Sequence, residues 1–251
     1  MTRTVLLAID TSTEYCSVAL LSSDERHASA SPPIWSRHDA TGAVSSARVL
    51  PAVRELFDEA GLSLADCSAV AFGAGPGSFT GLRTAAGVAQ GLAFGLGVPV
   101  VPVGTLLVCA ESARLRDTTA SRVLAVLDAR MDEVYWADYG WDAVQGEWAV
   151  LSRPSLAAPD ALVAPPSAFT LAGNAAAAFG ERLPVASAAH VVDHEAVPHA
   201  VPLAHVALRA YRAGRTAPAE QAAPEYIRDK VAQTTAERLA ARTVSNGELA
   251  R

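Results

Sequence analysis

VLLAIDTSTEYCSVALL, residues 5–21, reads as strand, turn, strand. Thr4 to Ile9 is apolar, Asp10-Thr11-Ser12-Thr13 is turn chemistry, and Tyr15 to Leu21 is apolar again. The same plan returns near Arg122: Val123 to Leu127 is apolar, Asp128 stands at the strand end, Ala129 to Asp132 turns, and Val134 to Tyr139 runs back. Asp10 and Asp128 are therefore equivalent positions in two strand–Asp–turn–strand units. Two copies of one supersecondary unit predict an internally duplicated, two-lobed α/β fold.

Between the copies, Arg26 to Ser31 reads as a third strand and Pro32 to Gly42 as a loop. A helix is expected over Ala43 to Ala60, ended by Gly61, with Val49, Val53, Leu56 and Phe57 forming an apolar stripe at helical spacing. Pro51 predicts a kink or a late start in it. A strand at Ala69 to Phe72 leads into the run GAGPGSFTGLRTA, Gly73 to Ala85, and then a long helix. No charge occurs between Arg83 and Glu111, which hydropathy alone would flag as a membrane span. Gly87, Gly91, Gly95, Gly97, Pro99, Pro102 and Gly104 break that stretch, so it reads instead as buried helix, strand (Val98 to Val103) and a new helix.

Further on, Phe169 to Ala172 reads as a strand, Asn174 to Phe179 as a short helix, and Leu203 to Ala213 as a helix ending at Gly214. Thr216 to Pro224 reads as a linker and Thr243 to Arg251 as a frayed polar tail. The expected organisation is a first lobe over 1–104, a second over 105–216, a C-terminal segment over 217–242 and the tail 243–251.

The 251 residues are 51% hydrophobic and 18% charged, which excludes global disorder and allows a large core. The net charge of −6 argues against a protein that holds nucleic acid alone, since such surfaces are basic. One of the 20 basic residues is a lysine, Lys230, and with the many alanines this reflects genome base composition. Cys16, Cys67 and Cys109 lie far apart, without a CxxC pair, so a disulfide framework or zinc ribbon is unsupported and a reducing cytosol fits best. The opening MTRTVLLAID meets an aspartate after five apolar residues, too few for the apolar core of a signal peptide.

Five features could carry chemistry. The Asp10–Thr13 turn offers hydroxyls and amides to a phosphate and a carboxylate to a metal or water; it is equally the composition of a tight hairpin. The Gly73–Ala85 run ends a strand and opens a helix near Thr80 with Arg83 in its first turn, which favours an anion, yet it is neither a Walker A sequence nor a clean GxGxxG. Gly87, Gly91 and Gly95 share one side of a helix. Each costs roughly 1 kcal/mol against alanine, an offset that close approach of another backbone would supply, from this chain or from a partner. His190 and His194 are four apart, but β-branched residues between two prolines favour a strand or loop over a metal-binding helix. Asp128, Arg130, Asp132 and Glu133 read as a charged hairpin turn. No nucleophile elbow, catalytic triad order or zinc ligand pairing stands out.

Four of these stretches, AIDTSTEYCSVALL, GAGPGSFTGLRTA, VLDARMDEVYWADY (Val126 to Tyr139) and PEYIRDKVA (Pro224 to Ala232), resemble the TsaB (YeaZ) family in the right order over nearly the whole chain. The resemblance implies the actin-like ATPase and sugar-kinase fold, two lobes each built of a mixed sheet with helices. It implies a cytoplasmic subunit, without catalysis of its own, that acts with the catalytic paralogue TsaD and the ATPase TsaE. Together these attach threonylcarbamoyl, from the threonylcarbamoyl-AMP made by TsaC, to the adenosine just 3′ of the anticodon. tRNA would be reached through the complex only.

The expected partner surface is the helix Ala43 to Ala60 with the helix from Thr80, through Arg48, Val49, Val53, Glu55, Phe79, Thr80, Arg83, Gly87 and Gly91. The same face would form a homodimer when the chain is alone. A nucleotide would belong to Asp10, Thr11, Ser12 and Thr13 or to the complex interface, without being tightly held. Two departures from the family pattern stand out. SSARVLP carries Ser45 where the family has its single histidine, which further weakens any metal role. The second-lobe turn reads Ala172-Gly173-Asn174-Ala175 rather than GDG or GNG. The rival reading is an active small-molecule kinase or ATPase of the same fold, with Asp10 on a magnesium ion and Asp128 beside the phosphates.

Overall fold

In the computed structural model, which describes residues 3–24 and 32–228, Arg3–Asp10 (β1) and Tyr15–Asp24 (β2) form the first antiparallel hairpin. β1 is buried on both faces from Val5 onward, which is why it reads as a continuous apolar run rather than an alternation. Ile34–Ala40 (β3) pairs antiparallel with β2. Ala69–Gly75 (β4) pairs parallel with β1, and Val100–Gly104 (β5) parallel with β4. The sheet order is β3-β2-β1-β4-β5. Ser45–Ala60 (α1) and Phe79–Leu96 (α2) cover one face, packing Val49, Leu56, Ala85 and Ala89 on Leu7, Ile9 and Val70. Both helices end on a left-handed glycine, Gly61 at φ 62° and Gly97 at φ 67°.

The second sheet repeats this plan. Arg122–Asp128 (β6), Val134–Asp142 (β7), Glu147–Ala157 (β8), Thr170–Ala172 (β9) and Val191–Asp193 (β10) take the order β10-β9-β6-β7-β8, with the same parallel and antiparallel pairings. β6 thus stands where β1 does, and each ends on its aspartate. Thr105–Arg116 (α3) packs on one face of this sheet and Ala175–Phe179 (α4) on the other. This is the duplicated, mixed-sheet actin-like architecture. No helix among the described residues is long and apolar enough to cross a membrane.

Three expectations need correction. The third strand is Ile34–Ala40, inside the stretch read as a loop; the expected strand at Arg26 to Ser31 lies outside the described residues. α1 starts at Ser45 and runs through Pro51, so the helix does not start late at the proline. The proline is exposed, and the stripe Val49, Ala52, Val53, Leu56 and Phe57 holds the helix on the sheet around it. The second lobe also stops short of residue 216. Ala200–Arg212 (α5) returns to the first sheet, where Leu203, Ala204 and Ala207 pack on Leu6, Ala8, Val101 and Val103. Without α5 the β1 face opposite α1 and α2 would be bare. Ala217 then exchanges two hydrogen bonds with Val100, so the expected linker is tied to the sheet edge.

His199, the N-cap residue of α5, meets His38 edge-on at 5.6 Å, and His38 stacks on Tyr15 at 4.3 Å. Burial lowers the His199 pKa to about 4. A histidine depressed in the fold stabilises it while neutral. That contribution is whole above the unfolded value of about 6.5 and is lost as pH falls towards the folded value. Between pH 7 and 4.5 we expect His199 to remove about 1–2 kcal/mol, a range reduced for the part of the ring open to solvent. Urea midpoints of the parent and of His199→Phe at both pH values test this; equal pH slopes would refute it.

Candidate functional site

The Asp10 turn and the start of α2 are built into one another. Asp10 is 1% exposed. Its Oδ1 accepts the Ser12 N–H at 3.0 Å and the Ser12 hydroxyl at 2.8 Å, while Oδ2 has no hydrogen-bond partner among the described residues. The reason is Gly73, where a Cβ would stand 2.2 Å from Oδ2, so the carboxylate lies against bare backbone. On the other side the Thr11 hydroxyl donates to the Gly81 carbonyl at 2.6 Å. The Ser12 carbonyl accepts the Ser78 N–H at 2.8 Å, and Ser78 caps α2 by accepting from the Gly81 N–H. The Ser12, Ser78 and Gly81 amides are therefore engaged within the turn and cap.

Burial pushes the Asp10 pKa up from the ordinary carboxylate range. For an acid the sign is opposite to that of His199: the ionised form costs stability above the folded pKa, and the cost is relieved on acidification. Asp10→Asn keeps an oxygen for the Ser12 bonds and cannot ionise. It should match or exceed the parent's stability at pH 7, to within about 1 kcal/mol. A loss above about 2 kcal/mol on thermal denaturation would refute this, since the buried amide N–H groups would then cost more than the carboxylate they replace.

Between the lobes lies a cleft of about 620 Å³. Thr11, Ser12 and Thr13, Gly77 to Thr80, and Thr84 line it from the first lobe, and Asp128, Arg130, Tyr135 and Asn174 from the second. Asp10 is not among its walls. Asp128 makes the turn bond of its counterpart, accepting from the Arg130 N–H at 2.7 Å, and its own N–H donates to the Asn174 side chain at 2.9 Å. A Cβ at Gly173 would stand 2.2 Å from the Val126 carbonyl, so this turn packs on β6 as Gly73 packs on Asp10. Residues 225–228 close one side of the cleft. These residues do not fit a nucleotide held through magnesium on Asp10, because that carboxylate is buried and is not part of the cleft wall.

The helical surface beside the cleft is different. Gly87, Gly91 and Gly95 are exposed, and apart from the adjoining backbone of α2 itself no atom of the described residues lies within 4 Å of a Cβ built on any of them. Of the two readings of these glycines, packing within the chain therefore finds no support among the described residues. Phe94, 74% exposed, lies beside them at helical spacing, and Phe79 is 48% exposed with the Arg83 guanidinium 3.5 Å above its ring. Val44, just before α1, and Leu50 on it are exposed.

Several expected surface residues are elsewhere. Val49 and Val53 belong to the core and offer nothing to a partner without unpacking α1. Arg48 holds Glu55 with both terminal nitrogens and Asp39 of β3 at 2.6 Å, which keeps the Glu55 pKa down at about 2. They form a lattice along the flank of α1 nearest β3. Phe94, Leu50, Tyr226 and Arg228 were not singled out from sequence.

The TsaD model, described as tRNA N6-adenosine threonylcarbamoyltransferase, matches residues 41–245. The tRNA threonylcarbamoyladenosine biosynthesis protein TsaB of Escherichia coli is 36% identical over 232 residues, 90% of this chain and 96% of that one. The chain belongs to the TsaB family. TsaB of Haemophilus influenzae is 41% identical over 148 residues, 59% of each chain. The solved structure of YeaZ from Pseudomonas aeruginosa superposes with a TM-score of 0.79 at 40% identity, covering 89% of this chain and 99% of its own.

Within the TsaB family pattern, the departure at Ser45 now has a local structure. Its hydroxyl sits 2.8 Å from that of Thr41 and donates to the Gly42 carbonyl, closing the turn before α1. His190 and His194 flank the short strand β10 instead of sharing a helix face. Cys16, Cys67 and Cys109 are buried, and burial raises all three thiol pKa values, the first two to about 11, so none is poised to react.

Proposed function

We propose that this chain is a docking subunit, without catalysis of its own, in the biosynthesis of threonylcarbamoyladenosine in tRNA. In this reading it pairs with TsaD and, with the ATPase TsaE, supports transfer of threonylcarbamoyl from threonylcarbamoyl-AMP to the adenosine 3′ of the anticodon. The observation that carries it is the open glycine face of α2. Three interior glycines spend about 1 kcal/mol each in helix propensity, and no described part of the chain uses the space they leave. A second backbone approaching there is what would use it.

A partner of the same fold is supported by the match of the TsaD model to this chain across α1 and α2. Two chains that both present this helix pair can meet face to face, and without TsaD two copies of this chain can do the same. The net charge of −6 suits a subunit that leaves tRNA to its partners. The buried Asp10 favours a nucleotide at the complex interface over one held through magnesium in this chain's cleft. The proposed place of action is the cytoplasm.

Gly87→Leu tests the docking face. It should leave the thermal stability of the free chain near that of the parent while abolishing co-purification with TsaD and tRNA modification by the reconstituted system. Undiminished binding would remove this face from the interface. A clear fall in the free chain's stability would mean that the face is filled within the chain.

A further inference from the structure

We infer that residues 225–228 form a strap that couples the second lobe to the docking face, so that a contact made wholly in the second lobe sets how tightly the partner binds on the first. The inference rests on the docking reading above and adds to it a residue outside both helices and a means of control.

The strap is held at both ends. At the first lobe, the Glu225 N–H donates to the Ala74 carbonyl at 2.7 Å. The Glu225 carbonyl passes so close to Gly75 that a Cβ there would stand 2.5 Å from it, and Gly75 has φ +129°, open to glycine alone at little cost. At the second lobe, Arg228 donates to Glu133 at 2.6 Å and to the Arg130 carbonyl at 3.3 Å, with its guanidinium 5.9 Å from the centre of the Tyr135 ring. Between the anchors, the Tyr226 ring lies 5.8 Å from that of Phe79 and 5.6 Å from the Arg83 guanidinium. Tyr226 is 47% exposed, beside the first turn of α2, so it extends the aromatic and arginine end of the docking face. Tyrosine and arginine are the side chains over-represented where interface energy concentrates.

Coupling follows from the strap's length and from what it grips. Arg228 is two residues from Tyr226, a span of at most about 7 Å, so a shift at one anchor cannot be absorbed before it reaches the ring. Arg228 also clasps a strained turn. Arg130, Met131 and Asp132 all have left-handed φ, at 61°, 56° and 59°, and none is glycine. Released from Arg228, this turn has reason to relax, and the strap's second anchor would go with it. By reciprocity, a partner that needs Tyr226 seated must also favour the lobe arrangement that seats Arg228.

The test uses the full chain with purified TsaD. Arg228→Ala is expected to weaken binding roughly tenfold, within the usual range for coupled sites. Tyr226→Ala should weaken it at least as much, and the double variant should bind no worse than Tyr226→Ala. Glu133→Gln, which keeps the side-chain volume, should weaken binding in the same direction. In the free protein, Arg228→Ala should speed amide exchange in peptides over 224–228 and 130–133 while leaving β1 and β4 protected. Parental affinity in Arg228→Ala, additive losses in the double variant, or unchanged exchange over 224–228 would each overturn the strap. If Gly87→Leu fails to bind while Arg228→Ala binds normally, the docking reading stands and the strap alone falls. If Gly87→Leu binds normally, both fall.

Discussion

Gly81→Ala is expected to be the most damaging single methyl in the chain. Gly81 is the third residue of α2, where alanine would ordinarily gain about 1 kcal/mol in helix propensity. The site reverses the sign. A Cβ there would stand 1.7 Å from the Thr11 carbonyl oxygen and 2.8 Å from its carbon, both main-chain atoms of the turn that follows β1. Neither side can yield cheaply. The Thr11 hydroxyl is bonded to the Gly81 carbonyl, Ser78 is bonded to Ser12, and β1 is the central strand of its sheet.

Ordinary overpacking costs 1–3 kcal/mol and is met by side chains moving; here backbone must move by more than an ångström, so we expect a loss above about 3 kcal/mol. Against a total stability of roughly 5–15 kcal/mol that is a large share. At this chain length it corresponds to a fall in Tm of about 6–12 °C or more. Scanning calorimetry of the purified variant measures it, and a Tm within 2 °C of the parent would show that the turn and helix are not locked as described.

The duplication was legible because it rests on two local signals, an apolar run ending in Asp and a return strand, both of which survive in a single sequence. β3 was not. IWSRHDA lies at a sheet edge, alternates half-buried with exposed residues, and has no apolar run to distinguish it from a loop. The return of α5 to the first sheet is a decision of the whole fold: its stripe reads as helix wherever it packs. The same limit explains the site. The Asp10 turn is visible in the sequence, but that Gly73 lets its carboxylate sink out of the cleft depends on strands 63 residues apart meeting side by side. On α1, Val49 and Val53 lie on the apolar stripe, and a stripe that faces the sheet cannot also face a partner. Tyr226 and Arg228 sat inside a quoted motif, yet their meaning lies in contacts with residues 79 and 133.

The glycines of α2 should behave in the opposite way to Gly81. Gly87, Gly91 and Gly95 have helical backbones and open space where a Cβ would go, so nothing opposes the propensity gain of alanine. Replacing all three should stabilise the free chain by about 2–3 kcal/mol, or raise Tm by about 4–12 °C. A chain that forgoes this much stability on one helix face does so for something other than its own folding, and proteins commonly retain such costs at functional surfaces. The same triple variant should therefore bind TsaD worse, because three methyls line the surface against which a second backbone would pack. The two effects must appear together. Gly87→Leu tests whether bulk is tolerated, whereas the alanines test whether closeness is required. A triple variant that is more stable and binds as well as the parent would show that the face is open for no partner that comes within van der Waals distance of the helix. A triple variant that is less stable would show that the face is occupied within the chain itself.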